Sequence, residues 1–484
     1  MCGVAGFISK TDVIEASSLD SVRRMTSRMR PRGPDAEGVW TGKGVALGHR
    51  RLAILDLDAR SNQPMITIDG NYSIVFNGEI YNFCELRREL QANGVVFRTT
   101  SDTEVLLALF AREGERMLPR LRGMFAFAIW NARSRELFLA RDPYGIKPLY
   151  YAPIKSGLLF ASQVKALLAS GLVSTTCEPA GVAGFYLWGS VPEPWTLYRD
   201  VFALPAGCSL WVRAGKPETP VSWNDIRANW QGEVRKQSAP ELQDVVRQAV
   251  TDSVRAHLVA DVPVSVFLSG GIDSGAVAGV AAGLGAKVEG ITVGFDEFSS
   301  LHEDEVPVAA AIAAHYGLPH HVHRVSRAEF ERDTQRILDA MDQPSIDGVN
   351  TWFASKAAAE RGYKVVLSGV GGDELFYGYS HVRQIPRDAM LERAIAAIPG
   401  ACSLLKALCA YLAKSRAQPK FNGVPKFMGS LEGTYFLKRG LFLPEELPTL
   451  MGVERAREGL ARLGGSPPGM TKTGPRMGQP GFAC

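Results

Sequence analysis

The 484-residue sequence predicts two domains of different class: an α+β domain over residues 2–205, then an α/β domain with a parallel sheet over residues 241–463. Two changes of rhythm along the chain predict this. Up to about residue 200, short apolar runs bounded by Gly, Asn or charged residues outnumber helical patterns, as strands joined by turns do. From residue 241, isolated apolar strands alternate with long helical stretches, which implies a parallel sheet covered on both faces. Between the two, Val191-Pro192-Glu193-Pro194-Trp195 and Lys216-Pro217-Glu218-Thr219-Pro220 make the chain rich in Pro and polar residues, and a linker is expected at 206–240.

In the first domain, strands are expected at Val45–His49, Ser73–Phe76, Met124–Trp130, Leu137–Ala140 and Leu158–Ala161. One helix is expected at Cys84–Ala92. A second is expected over Val105–Phe110, after the capping-box pattern Ser101-Asp102-Thr103-Glu104. The second domain should hold strands at Val264–Leu268, Val288–Val293, Val322–Val325 and Lys364–Leu367. Residues 394–413 are the most membrane-like, but Pro399, Gly400 and Lys406 interrupt them, so a buried helical hairpin is the expectation. Residues 464–484 lack apolar periodicity and are expected to form a disordered tail. No internal repeat is found.

A hydrophobic content of 46% with 21% charged residues excludes a chain disordered throughout. Net charge is +4 with no dense Lys/Arg stripe, so a nucleic-acid partner is not expected. The seven cysteines, Cys2, Cys84, Cys177, Cys208, Cys402, Cys409 and Cys484, form no C-x-x-C pair, which gives no zinc ribbon or thioredoxin-type motif. That pattern suits a reducing cytoplasm. Met1-Cys2-Gly3 runs straight into an alternating apolar segment, so a signal peptide is not expected, and the expected location is cytoplasmic, away from membranes. His320, His321 and His323 alternate into a strand and are read as structural in preference to metal ligands.

Cys2 is the cysteine best placed for chemistry. With Met1 removed, its own α-amine, whose pKa is near ~7.7–8.0 against ~10.4 for a lysine, could serve as its base. A thiol beside a near-neutral base is an activated nucleophile. The competing reading is chance placement.

Five ordered segments accompany it: Met1-Cys2-Gly3-Val4-Ala5-Gly6, Pro31-Arg32-Gly33-Pro34-Asp35, Gly48-His49-Arg50-Arg51-Leu52, Phe76-Asn77-Gly78-Glu79-Ile80-Tyr81-Asn82 and Ser101-Asp102-Thr103-Glu104. This series resembles the glutaminase domain of class II, N-terminal-nucleophile (αββα) glutamine amidotransferases, from residue 1 to about 200. The resemblance implies that Cys2 attacks the glutamine side-chain amide. Asn77 and the Gly78 N–H would form the oxyanion hole, Arg51 would bind the α-carboxylate, and Glu79 and Asp102 would hold the α-ammonium. Each residue also has a plain structural reading. Asn77-Gly78 is a hairpin-turn signal, Asp102 favours a helix start, and Arg51 could be a surface ion pair. The segment Arg141-Asp142-Pro143-Tyr144-Gly145-Ile146-Lys147-Pro148-Leu149-Tyr150 also resembles a family segment and is read as a structural turn or domain contact.

In the second domain, the strand at Val264–Leu268 runs into Ser269-Gly270-Gly271-Ile272-Asp273-Ser274 and a helix. Strand, Gly-rich turn and helix start together make an anion site from free N–H groups. The lysine of a GxxxxGK[ST] loop is missing. The segment resembles instead the PP-loop of enzymes that adenylate a substrate with ATP. A second Gly-rich turn follows Leu367, as Ser368-Gly369-Val370-Gly371-Gly372-Asp373-Glu374. Its acids could simply favour a helix start. The two loops together resemble the asparagine synthetase domain, whose fold is of the adenine nucleotide α-hydrolase-like kind. By that resemblance Leu268, Ser269, Gly270, Gly271, Asp273, Ser274, Val293, Ser368 and Gly369 contact ATP, and Asp273 and Asp373 bind Mg²⁺. Asp342-Gln343-Pro344-Ser345 also resembles a family segment.

A glutaminase joined to an adenylating domain suits glutamine-dependent, ATP-driven amidation. The expected enzyme is a glutamine-hydrolysing asparagine synthase acting on aspartate, with a homodimer as a possible assembly. Two departures from the family pattern open alternatives. At Val370 asparagine synthetases commonly carry an acid that contributes to the acceptor site, so another carboxylate, such as a uronic acid, is the second acceptor. The chain also ends soon after the second loop, where family members continue. The expectation is a C-terminally incomplete synthetase domain, which leaves a glutaminase-only or non-catalytic remnant as a third reading.

Overall fold

A computed structural model describes residues 1–230, 237–398, 401–415 and 419–464. Contacts divide these into two compact units. One comprises Met1–Thr175, Asp200–Asp342 and Val349–Gly369; the other comprises Thr176–Arg199, Gln343–Gly348 and the described residues from Val370 onward.

The first unit opens with two antiparallel sheets. In the six-stranded sheet, the strand Gly3–Ser9 lies between Val45–Arg51 and Gly157–Ala161. In the seven-stranded sheet, Tyr72–Ile80 pairs with Gly123–Asn131, which pairs in turn with Glu136–Arg141. Alternating apolar residues of the two sheets, including Val4, Ile8, Leu47, Val75, Ala128, Trp130 and Phe160, share one buried core. The far face of the seven-stranded sheet is covered by the helices Phe83–Ala92 and Asp102–Glu113 through Leu86, Leu90, Leu106 and Phe110. The helix Ala16–Arg28 packs Val22 and Met25 toward the six-stranded sheet. These are the αββα layers.

The expected capping box is half formed. The Ser101 side chain accepts the Glu104 N–H, while the Glu104 carboxylate turns back to the Arg98 and Thr99 N–H groups. The linker expectation needs correction. Cys208–Arg213 is a strand hydrogen-bonded to Glu136–Arg141, and Lys216–Pro217 and Val221–Ser222 pair with it in turn. Leu210 and Val212 enter the core between the sheets, so apolar alternation outweighs the Pro-rich flanks. Residues 231–236 of that expected linker lie outside the described residues.

The remainder of this unit is a four-stranded parallel sheet in the order His320–Val325, Glu289–Phe295, Val264–Phe267, Val365–Leu367. Val266, Leu268, Ala278, Ala281, Ala309 and Ala313 form the core on one face. Ile291, Phe353, Ala357 and Ala358 fill the other.

In the second unit, the helix Pro179–Trp188 packs against Val453–Arg462, with Leu187, Phe436, Leu443 and Leu447 as the core. The helices Ser380–Ala396 and Ala401–Ser415 agree with a hairpin, but not with a buried one. Leu404 is 75% exposed and Leu408 50%, because the Ala401–Ser415 helix packs only a narrow stripe that includes Cys409. Among the described residues, no helix is long and apolar enough to cross a membrane. The tail expected at 464–484 lies, apart from Gly464, outside the described residues.

Candidate active site

Cys2 lies at the head of the Gly3–Ser9 strand and lines a pocket that opens to solvent. Cys2, Arg51, Asn77, Gly78, Glu79 and Asp102, widely spaced in sequence, all line it. The thiol sulfur accepts the Leu52 N–H at 3.4 Å, and the Arg32 Nε donates to the Cys2 carbonyl at 3.0 Å. Burial pushes the thiol pKa up, and the Leu52 hydrogen bond opposes this. With Met1 in place the chain's free amine belongs to Met1. Burial, helped by the charges of Arg32 and Lys147, pushes that amine down to about 5.

Asn77 and Gly78 do not form a turn. They lie inside the Tyr72–Ile80 strand, opposite Ala126 and Phe125, which removes the hairpin reading. The side-chain Nδ2 of Asn77 is buried and has no hydrogen-bond partner within the protein. An orphaned buried donor is costly, and Asn77 lines the same pocket as the Cys2 thiol, where a donor could serve a developing oxyanion. Gly78 is required by close approach, because a Cβ there would sit 2.3 Å from the Met124 carbonyl oxygen.

The half-buried Glu79 and the buried Asp102 form an acidic pair in the pocket. Burial first, then the proximity of Asp102, raises the Glu79 carboxyl well above the usual range. Burial likewise raises Asp102, against the Ile80 N–H that it accepts at 3.0 Å. Asp102 is also the first residue of the Asp102–Glu113 helix, so its helix-start reading and its pocket position both hold. Arg51 is buried and not a surface ion pair. Its guanidinium donates to the carbonyls of Leu55, Asp56 and Asp58 and to Asn62 Oδ1. It therefore folds the loop that forms one pocket wall, and gripping a carboxylate would require exchanging one of these bonds.

Sequence reasoning missed Lys147. It is 6% exposed, lines the pocket, and has its ammonium pKa lowered by burial. The segment Arg141–Tyr150 does turn, because the buried Asp142 carboxylate accepts N–H groups from Tyr144, Ile146 and Lys147. That turn delivers Lys147 to the pocket. Gln63 was also missed; it accepts the Phe76 N–H and donates to Thr103. A loop that returns to a pocket from far along the chain leaves no periodic signal.

The second site lies at the C-terminal ends of adjacent parallel strands, where ligands of such sheets bind. Ser269–Gly271 follows Val264–Phe267 and leads into the helix Ile272–Gly283, and Ser368-Gly369 follows Val365–Leu367. The Ser269 N–H donates to Ser274 Oγ at 3.1 Å, and the two serine hydroxyls are 2.9 Å apart. The Gly270 N–H donates to Glu305 Oε2 at 3.2 Å, a partner that sequence reasoning did not identify. A Cβ on Gly369 would meet the Ser274 nitrogen at 2.7 Å, so the two loops approach as only glycine allows. Leu268 is buried, with its carbonyl accepting the Thr292 hydroxyl, and Val293 lies on the neighbouring strand. Asp273 is at the helix start in this unit, whereas Asp373 belongs to the second unit, on the helix Gly372–Phe376.

Asp273 suits Mg²⁺, which takes one or two carboxylates plus phosphate oxygens. Among the described residues, His, Cys, Asp and Glu gather nowhere in threes, so a metal held by protein groups alone does not fit. His320 bonds to Thr292, and His323 to Glu329.

Fold and pocket together define a class II glutamine amidotransferase domain followed by a PP-loop-like domain. Residues 1–223 match the family described as glutamine amidotransferase domain, and residues 245–462 match asparagine synthase. The asparagine synthetase (glutamine-hydrolyzing) 1 of Bacillus subtilis is 37% identical over 79% of this chain and 60% of its own length. A putative asparagine synthetase (glutamine-hydrolyzing) 2 from Methanocaldococcus jannaschii is 30% identical over 78% of this chain and 76% of its own. A Penicillium rubens protein named as an amidase is 33% identical over 79% of this chain and 60% of its own. The chain therefore belongs to the glutamine-hydrolysing asparagine synthetase family. It spans about 60% of the length of the Bacillus and Penicillium relatives.

Proposed function

We propose that this chain carries the glutaminase and adenylating machinery of an asparagine synthase. The Cys2 thiolate adds to the glutamine side-chain carbonyl, and collapse of the adduct expels ammonia and leaves a γ-glutamyl thioester. Water then hydrolyses the thioester to glutamate and restores the thiol. Removal of Met1 would give Cys2 its own amine as base, one with an ordinary pKa near ~7.7–8.0. The orphaned Asn77 amide and the Gly78 N–H would receive the oxyanion, and Glu79 and Asp102 would hold the substrate ammonium.

At the second site, the serine hydroxyls and loop N–H groups would take phosphate oxygens of ATP, and the Gly270 N–H would exchange Glu305 for phosphate. Asp273 would hold Mg²⁺, which supplies charge neutralisation for the departing pyrophosphate. Aspartate and ATP would give aspartyl-adenylate and pyrophosphate, and ammonia would displace AMP to form asparagine. The observation that carries this reading is the convergence of Cys2, Asn77, Glu79 and Asp102 on one pocket in a chain that also holds the Ser269–Ser274 loop.

A second reading keeps the chemistry and changes the acceptor. Val370 is 92% exposed and has no acid to offer, and some relatives are named as amidases. The test incubates the protein with glutamine, Mg-ATP and aspartate. Asparagine, AMP and glutamate in equal amounts support the first reading, while pyrophosphate release only with a different carboxylate supports the second. Glutamate with no ATP turnover for any acceptor would leave a glutaminase alone. A cytoplasmic location is part of the proposal.

A further inference from the structure

In the stretch Leu52–Asp58, the residues Leu52, Ile54 and Leu55 line the Cys2 pocket, and the Leu52 N–H donates to the Cys2 sulfur. From its own domain it is held by the Arg51 guanidinium and by the Asp56 carboxylate, which accepts the Thr100 N–H at 2.7 Å. Asp56 is 5% exposed and left-handed in backbone (φ +48°), a conformation that a non-glycine residue keeps only when its surroundings impose it.

The nucleotide-binding domain supplies part of that imposition. Asp261 makes a reciprocal clamp: its Oδ2 accepts the Asp56 N–H at 2.7 Å, and its own N–H donates to the Ile54 carbonyl at 2.9 Å. Beside it, the Asp35 carboxylate accepts the Ala53 N–H and pairs with Lys364 Nζ, each at 2.8 Å. Lys364 immediately precedes one of the two adjacent strands that carry the Ser269 and Ser368 loops at their far ends, and Asp261 lies just before the other, separated from it by Val262 and Pro263.

We infer that Asp261 is a positioning residue for glutamine hydrolysis, contributed by the domain that does not contain the nucleophile. Its clamp on Ile54 and Asp56 fixes the pocket wall that holds glutamine against Cys2. The inference rests on the glutaminase reading above. Asp261 has no place in the pocket itself, so its loss should weaken substrate binding and leave the reacting groups intact.

The test compares full-length wild type, Asp261→Ala and Asp261→Asn by glutaminase kinetics and by backbone amide exchange over residues 52–58. A lost hydrogen bond to a charged acceptor predicts exchange about tenfold to a hundredfold faster in Asp261→Ala. Glutamine KM should rise about tenfold with kcat within about threefold of wild type. Asp261→Asn retains an acceptor oxygen and should restore most of both. Unchanged exchange, an unchanged KM, no rescue by Asp261→Asn, or a parallel collapse of kcat and melting temperature would each overturn the inference. A wild-type protein without glutaminase activity would overturn it together with the reading on which it rests. An active wild type with unmoved variants would overturn the inference alone.

Discussion

Replacing Asn77 by Ala sets catalysis against stability in opposite directions. The Asn77 Nδ2 is buried in the Cys2 pocket without a partner, and such an orphan costs the folded state roughly 1–3 kcal/mol. Asn77→Ala removes that cost and loses a little packing, so net stability should move by no more than about 1 kcal/mol. The backbone is retained, because Asn77 is paired opposite Ala126 within a strand. In the proposed reaction the same amide would meet the oxyanion that forms when the thiolate adds. Removing one such donor should lower kcat about 10²–10³-fold, roughly 2.7–4 kcal/mol of transition-state stabilisation. Because the donor acts on charge that develops only in the transition state, KM for glutamine should change little. Glutamate release measured at several glutamine concentrations, alongside a thermal melt, gives both numbers. A kcat reduced by less than about threefold, or one reduced in step with a large fall in melting temperature, would refute the oxyanion assignment.

The remaining predictions address other groups. Cys2→Ala should abolish glutaminase activity and leave ATP turnover with free ammonia intact, while Asp273→Asn should do the reverse; paired glutamate and pyrophosphate assays decide this. The raised carboxyls of Glu79 and Asp102 must be ionised to hold an ammonium, so glutamine KM should fall as pH rises through a value above the ordinary carboxylate range. Glu79→Gln should weaken that dependence, which a KM–pH series measures. Lys356→Met should destabilise the fold by about 3 kcal/mol in denaturant melts, because the Lys356 ammonium bonds Glu329 and the fully buried Asp333. Hydrogen bonding to Lys356 holds the Asp333 carboxyl down to about 2. Its contribution is therefore present above the ordinary Asp value and lost as pH falls toward 2, and Lys356→Met should show less of this acid loss.

Much of the site was legible because its chemistry is local. A cysteine at position 2, an Asn-Gly-Glu run, and a strand entering Ser-Gly-Gly-Ile-Asp-Ser each fix residue types that the proposed reaction would need. Local pattern misread three features. Asn77-Gly78 carries a turn signal, yet the backbone needs Gly78 for close approach to Met124 within a sheet. The Pro-rich run after residue 205 hides a strand whose alternating Leu210 and Val212 close the core between the sheets. Arg51 looks locally like an exposed ion-pair partner, but its guanidinium is buried among loop carbonyls.

Sequence alone was enough for the order of the two domains, many of their strands, and Cys2 and the loop glycines as candidates, because periodicity and residue chemistry act over a few neighbouring positions. It took the folded chain to reveal that Lys147 enters the pocket, that the Asn77 amide is left without a partner, and that Asp261 holds Asp56 from about 200 residues away. Those facts depend on which distant segments meet when the apolar faces are buried, and a pairing across such a separation leaves no mark in either segment alone.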